Sequence, residues 1–162
     1  MIKNHAEYDY NLEYWQQIRT FIKGRKDIQK YLQNVVYGTD ADSIRRNLEY
    51  KARAKYINFT ARTLNALVGA VFSKEAEVKL PTALEYMLYD SNGAGKSLEQ
   101  VSKVCVSNDV QVGRHGLLAS HDPITKLAKL TTYTAENIID WTEDESGNLN
   151  SVVLFIEKDV YK

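Results

Sequence analysis

The chain has 162 residues, in which 21 lysines and arginines balance 21 aspartates and glutamates for a formal net charge of zero. That length suffices for one domain with a hydrophobic core, or for part of a larger one. Neutrality argues against a free-standing nucleic-acid binder, which carries a clear basic excess. The single Cys105 permits no internal disulfide, no apolar run reaches the length of a membrane span, and MIKNHAEYDYNLEYW lacks the hydrophobic core of a signal peptide. Synthesis in a reducing cytosol is the simple reading.

The first segment reads as a helix: Tyr8, Leu12, Trp15, Ile18 and Ile22 step by 4, 3, 3 and 4, with Phe21 widening the stripe. Gly24 weakens or ends it, KDIQKYL (26–32) resumes it, and QNVVYGTDAD (33–42) is a loop. The second helix is predicted to be the longest element, capped by Asp40 or Asp42 and running uninterrupted from Ser43 to Val68. Its first half carries Arg45, Arg46, Lys51, Arg53 and Lys55 among Tyr50 and Tyr56, with Glu49 four residues before Arg53 at the spacing of a helical ion pair. Its second half carries two apolar stripes, one through Ile57, Ala61, Leu64, Val68 and Phe72 and one through Phe59, Leu67 and Val71. Such a helix is expected to be driven into a core on two sides. Trp15, Leu64, Val68 and Phe72 are expected to share that core, with Gly69 giving a close helix approach or a kink.

Pro81, Leu84, Met87 and Leu88 predict a short helix over 80–90. The next stretch, SNGAGKS, resembles the phosphate-cradling pattern G-x-x-x-x-G-K-[ST], but the first glycine of that pattern is here Asp90 and the preceding element is a helix rather than a strand. Ser97-Leu-Glu-Gln100 is a capping box. The glycines are therefore read as a helix–helix turn, with no cofactor assigned. Leu98, Val101, Val104, Cys105 and Val112 form the apolar face of the following helix, which Gly113 terminates.

From there the period changes. His115–His121 and Leu127–Tyr133 read as strands around an Asp122-Pro123 turn, Thr134 caps a helical turn, and Ile139–Glu143 and SVVLFIEKDVY read as strands around DESGN, 144–148. The class is α+β, with about four helices over 1–113, then a small mainly antiparallel β region over 114–162 expected to continue beyond residue 162 or be completed by a partner.

No catalytic or metal constellation emerges. His5, His115 and His121 lack zinc spacing, Cys105 has no base near it in sequence, and adjacent Ser120-His121-Asp122 cannot form a triad because their side chains diverge. The basic stretch of the second helix is the nucleic-acid candidate, but a charged face used at an interface or left in solvent fits better. Glu143, Asp144 and Glu145 form a solvated acidic turn.

The order of motifs resembles a known family. Trp15 in a first helix is followed by Tyr50, Asn58, Arg62, Thr63, LVGAVF (67–72), LPTALEYMLYD (80–90), a glycine loop into SLEQ (97–100), VGRHGLL (112–118), and Tyr133 with ENIIDW (136–141). This is similar to the N-terminal, wing-like part of a portal-protein family of tailed bacteriophages, long catalogued as a domain of unknown function. The resemblance implies a non-enzymatic structural component of the virion, made in the bacterial host cytoplasm. It implies a homo-oligomeric, dodecameric ring at the capsid vertex, through which double-stranded DNA is packaged and ejected. Capsid, neck or adaptor proteins and the terminase are its implied partners, and no membrane is involved. Ala119-Ser120-His121 departs from the family pattern. Alternatives are a head-completion or adaptor protein, or a nucleotide-dependent packaging enzyme using GAGKS. Arg45, Arg46, Arg53 and Lys55, against Glu143, Asp144 and Glu145, are the interface candidates.

Overall fold

The computed structural model describes residues 3–156, and it is α+β. Helices α1 (Ala6–Lys23), α2 (Arg25–Ile28), α3 (Ala41–Arg53), α4 (Phe59–Val71) and α5 (Leu98–Val112) precede strands β1 (His115–His121), β2 (Ala128–Thr134), β3 (Ile138–Glu143) and β4 (Leu149–Leu154). The strands form two separate antiparallel hairpins, β1–β2 and β3–β4. His115 pairs with Thr134 and His121 with Ala128; in the second hairpin Trp141 pairs with Val152. The end of the sequence-predicted last strand, beyond residue 156, lies outside the described residues.

The core sits where α1, α5 and the hairpins meet. Tyr8, Trp15, Ala135 and Trp141 are buried together, with Leu12, Val112, Ile138 and Ile139 packed around them. Tyr8 and Trp15 meet edge to face at 5.9 Å, and the Tyr8 hydroxyl donates to the Glu136 carbonyl at 3.1 Å, so the phenol's polar tip is satisfied as its ring is buried. The chain start is pinned to β3 by the His5 amide, which donates to the Ile139 carbonyl at 2.9 Å, and the His5 ring stacks on Trp141 at 3.8 Å.

The expected continuous helix from Ser43 to Val68 is instead two helices separated by residues 54–58. The break has a tertiary cause. The last carbonyls of α1 lack intrahelical donors, and residues of the break supply them: the Tyr56 hydroxyl donates to Phe21 O and Asn58 Nδ2 to Ile22 O, each at 2.8 Å. Asn58 Oδ1 then accepts from the Ala61 amide at 2.8 Å, capping α4. One asparagine thus ends one helix and begins another.

The expected shared core of Trp15, Leu64, Val68 and Phe72 is also divided. Leu64 is buried and Val68 and Phe72 are half-buried, but Trp15 belongs to a separate cluster with Tyr8, Ala135 and Trp141. The second stripe of α4 is not buried at all: Phe59 is 63%, Leu67 50% and Val71 59% exposed. Gly69 faces open space, so a close helix approach does not account for it. The segment 80–90 forms a 3-10 helix, Thr82–Leu88, with Met87 buried. The capping box at Ser97 and the left-handed Gly113 (φ 70°) that ends α5 are as read from the sequence. No helix among the described residues is long and apolar enough to cross a membrane.

Candidate interface surfaces

Arg114 is the electrostatic centre of the core. Its guanidinium lies 4.0 Å from the Trp141 ring and 5.6 Å from the Trp15 ring, and it pairs with Glu7 at 2.9 Å. A planar, weakly hydrated cation stacks on indole far better than an ammonium does. Beside it, Arg19 reaches from α1 to both Glu136 oxygens, at 2.9 and 3.3 Å, and donates to Gln111 Oε1 at 2.6 Å. Burial pushes the Glu136 carboxyl up, but the hydrogen bonds from Arg19 and its other donors outweigh this and hold it below its ordinary range. The pair ties α1, α5 and the 3-10 turn 135–137 together. Nothing in the sequence spacing singled out Arg19 or Glu136, because they are 117 residues apart. His115, at the start of β1, has both ring nitrogens buried without partners among the described residues, and burial, with Arg19 nearby, lowers its pKa. These groups brace the junction of helices and hairpins, and no cluster of His, Cys, Asp or Glu able to hold a metal ion accompanies them among the described residues.

Asn92 and Asp90 account for the GAGKS loop. Asn92 Oδ1 accepts from the amides of Ala94 and Lys96, and Asp90 Oδ1 from that of Gly95, all at 3.0 Å. The amides that would face a phosphate already hold the chain's own carboxylate and carboxamide. Ser91, fully buried, anchors the loop: its amide and hydroxyl both donate to the Lys96 carbonyl, and its own carbonyl accepts from Leu130 in β2 at 2.8 Å. The loop is a docking turn against the first hairpin. Asp122 plays a similar part between β1 and β2. Its carboxylate accepts from the amides of Thr125 and Ile124, and these bonds, with the Lys129 ammonium, bring its pKa down to about 2. Cys105 is half-buried on α5, and burial pushes its thiol up rather than activating it.

The charged helix is organised differently from its sequence spacing. Glu49 pairs with Arg45 at 2.9 Å, not with Arg53, and Asp42 holds both Arg45 (2.6 Å) and Arg46 (2.8 Å). Arg53 donates only to the Glu49 carbonyl, at 3.3 Å, and Lys55 is exposed in the break after α3. The basic candidates therefore divide into a neutralised pair and an uncompensated one. Glu143 ends β3, Asp144 folds its turn by accepting from the amides of Ser146 and Asn148, and Glu145 is exposed at the tip.

Two apolar surfaces complete the inventory. A cleft of about 530 Å³ lies between the hairpins, walled by Leu117, Ile138, Val152 and Leu154 and edged by Arg114 and Glu143. A groove of about 380 Å³ runs between α1, α4 and α5, with Ile18, Ile22, Phe59, Leu67 and Val110 along it. No family model and no curated protein matches this chain.

Proposed function

We propose that the chain is a structural subunit of a virion assembly, the wing-like N-terminal part of a tailed-phage portal protein, which forms a dodecameric ring at the capsid vertex for DNA to pass. The supporting likeness is the ordered set of motifs from Trp15 through Trp141. The observation that carries the reading is the apolar stripe of α4. Phe59, Leu67 and Val71 recur at helical spacing on one face and are each at least half exposed. Single exposed apolar side chains are ordinary, but Phe59 and Leu67 line the open groove with Ile18, Ile22 and Val110, and an open apolar groove marks a surface that another chain covers. A ring subunit needs such a face, because each copy presents one surface to one neighbour and a different surface to the next. The bonding of Arg114, Arg19 and Glu136 within the fold gives these charges a bracing role, consistent with a scaffold.

Negative-stain electron microscopy with native mass spectrometry tests the proposal. Closed rings with a single copy number are expected. A strictly monomeric chain at tens of micromolar, with α4 still exposed to hydrogen exchange, would count against it.

A further inference from the structure

Zero net charge conceals a separation of charge that only the fold makes visible. Helix α2 and the 3-10 turn after it are joined to the end of α3 by two hydrogen bonds: Arg25 donates to the Ala52 carbonyl, and Gln29 donates to that of Lys51 at 3.3 Å. These bonds bring Lys23, Arg25, Lys26, Lys30, Arg53 and Lys55 toward one end of the helical layer, all exposed, with Asp27 as the carboxylate among them. None of the six makes an ion pair among the described residues. The opposite end is mainly acidic, with Lys3 as the exposed cation among the acids. Asp9 and Glu13 lie on the first half of α1, and the start of that helix is hydrogen-bonded to β3, whose hairpin tip carries Glu143, Asp144 and Glu145. These five carboxylates have no cationic partner among the described residues either. Helix α1 joins the two ends and, at 18 residues, spans about 27 Å.

A helix macrodipole favours acids at its start and bases at its end, which accounts for Asp9 and Lys23. It does not account for the cations of α2 and α3 or for the acids of a β-turn. Unpaired charge of one sign is costly to concentrate, and the matching opposite charge lies on the same chain rather than beside it.

We propose that the basic end formed by α2 and the end of α3 binds the acidic end, Asp9 with the β3–β4 tip, of a second copy of this chain. The contact is heterologous, head to tail, and leaves each copy with one free end of each sign, as a ring or open chain requires. It rests on the assembly reading above and assigns that assembly's charged surfaces. Phe59, next to the Asn58 that bonds the end of α1, is exposed beside the basic end, so the charges add affinity and register to whatever apolar area is covered there. The uncompensated members of the basic set, Arg53 and Lys55, belong here, whereas Arg45 and Arg46 are already neutralised within α3.

A complementary charge swap tests the inference. One variant carries Lys26→Glu and Lys30→Glu, and a second carries Glu143→Lys and Glu145→Lys. All four side chains are exposed and make no hydrogen bond among the described residues, so circular dichroism should match the parent. Where it does not, Lys26→Gln with Lys30→Gln replaces the first variant, and weakened association of that variant alone, without recovery on mixing, is then the expected result. In sedimentation velocity at about 50 mM salt the parent should self-associate, and the association should fall steeply by about 500 mM as screening shortens. Each variant alone should associate at least about tenfold more weakly, because like charges then face each other. An equimolar mixture should recover association, since each variant supplies the sign the other lacks. Parent-like association of both variants would overturn this contact while leaving the ring reading intact. A parent that stays monomeric would overturn both. If that monomer binds a 30-base-pair duplex, and the lysine variant does not, the basic end faces nucleic acid instead.

Discussion

The two ends of the helical layer are stabilised by different physics. Where α1, α5 and β3 converge, Trp15, Trp141, Tyr8 and Ala135 exclude water, and Arg114 is held between indole faces and Glu7. Where α3 meets the 33–38 segment and α4 meets the end of α1, the buried residues include the polar Asn47 and Ser43, both on α3. There Asn47 accepts from the amides of Val35 and Val36, both at 3.0 Å, and donates to the Val36 carbonyl at 2.8 Å. The first end derives its stability from apolar burial, which is non-directional and large. The second is positioned by directed hydrogen bonds worth about 1 kcal/mol each, those of Asn47 for α3 and of Asn58 for α4, and α4 there leaves Phe59, Leu67 and Val71 facing outward. A region fixed in geometry but open in hydrophobic surface is suited to be finished by a partner.

Trp141→Ala should break the comparison most severely. The side chain is 8% exposed and is stacked by His5 on one contact and Arg114 on another. Its removal should cost about 3–5 kcal/mol in urea unfolding followed by fluorescence of Trp15. A loss below about 1 kcal/mol would show that the aromatic cluster is not the stabilising end.

Glu136→Gln should come next, at about 1–3 kcal/mol, because Arg19 would be left without its charged partner in a half-buried setting. The effect should depend on pH. The folded carboxyl titrates below its ordinary value of 4.5, so its contribution is fully present above that value and is lost as the pH falls through the lower folded value. The difference between parent and variant should therefore shrink on acidification below about pH 4.5. A gap that stays constant to the acid limit would show that the ion pair contributes nothing.

The sequence made some of this legible, and locality decides which part. Capping at Ser97, termination at Gly113, the turn at Asp122 and the hairpin at DESGN depend on neighbours within a few residues, so their spacing predicts them. The break at 54–58 depends on Tyr56 and Asn58 reaching carbonyls 35 and 36 residues earlier, and helix propensity alone favours continuity. The same limit applies to Arg19 with Glu136, and to the basic end, whose lysines and arginines come from two separate segments. The apolar residues of α4 are legible in the sequence, but Ile57 falls in the break before it and is 65% exposed, and hydrophobicity does not say whether a stripe is covered by this chain or another.

Leu67→Ser with Phe59→Ser tests the open end. Both side chains are at least half exposed, so the pair should change stability by less than about 0.5 kcal/mol per site in the isolated subunit. Self-association should nevertheless weaken, read as a shift toward monomer in sedimentation velocity. A large loss of stability with no change in association would place α4 inside the core and erase the contrast between the ends.

Lys96→Ala should have the smallest effect of all. A lysine that closes a phosphate loop is poised over backbone amides left free for the ligand. Here those amides are occupied: Gly95 donates to Asp90, and Ala94 and Lys96 donate to Asn92. What holds the loop against β2 is the backbone of Ser91 and the carbonyl of Lys96, neither of which the substitution removes. The Lys96 side chain is exposed and makes no ion pair among the described residues. Stability should stay within about 0.5 kcal/mol of the parent, and calorimetric titration should give the same flat response to Mg-ATP for both proteins. Micromolar binding by the parent that vanishes in the variant would mean that Asp90 and Asn92 release the loop when nucleotide arrives, and the docking-turn account would fail.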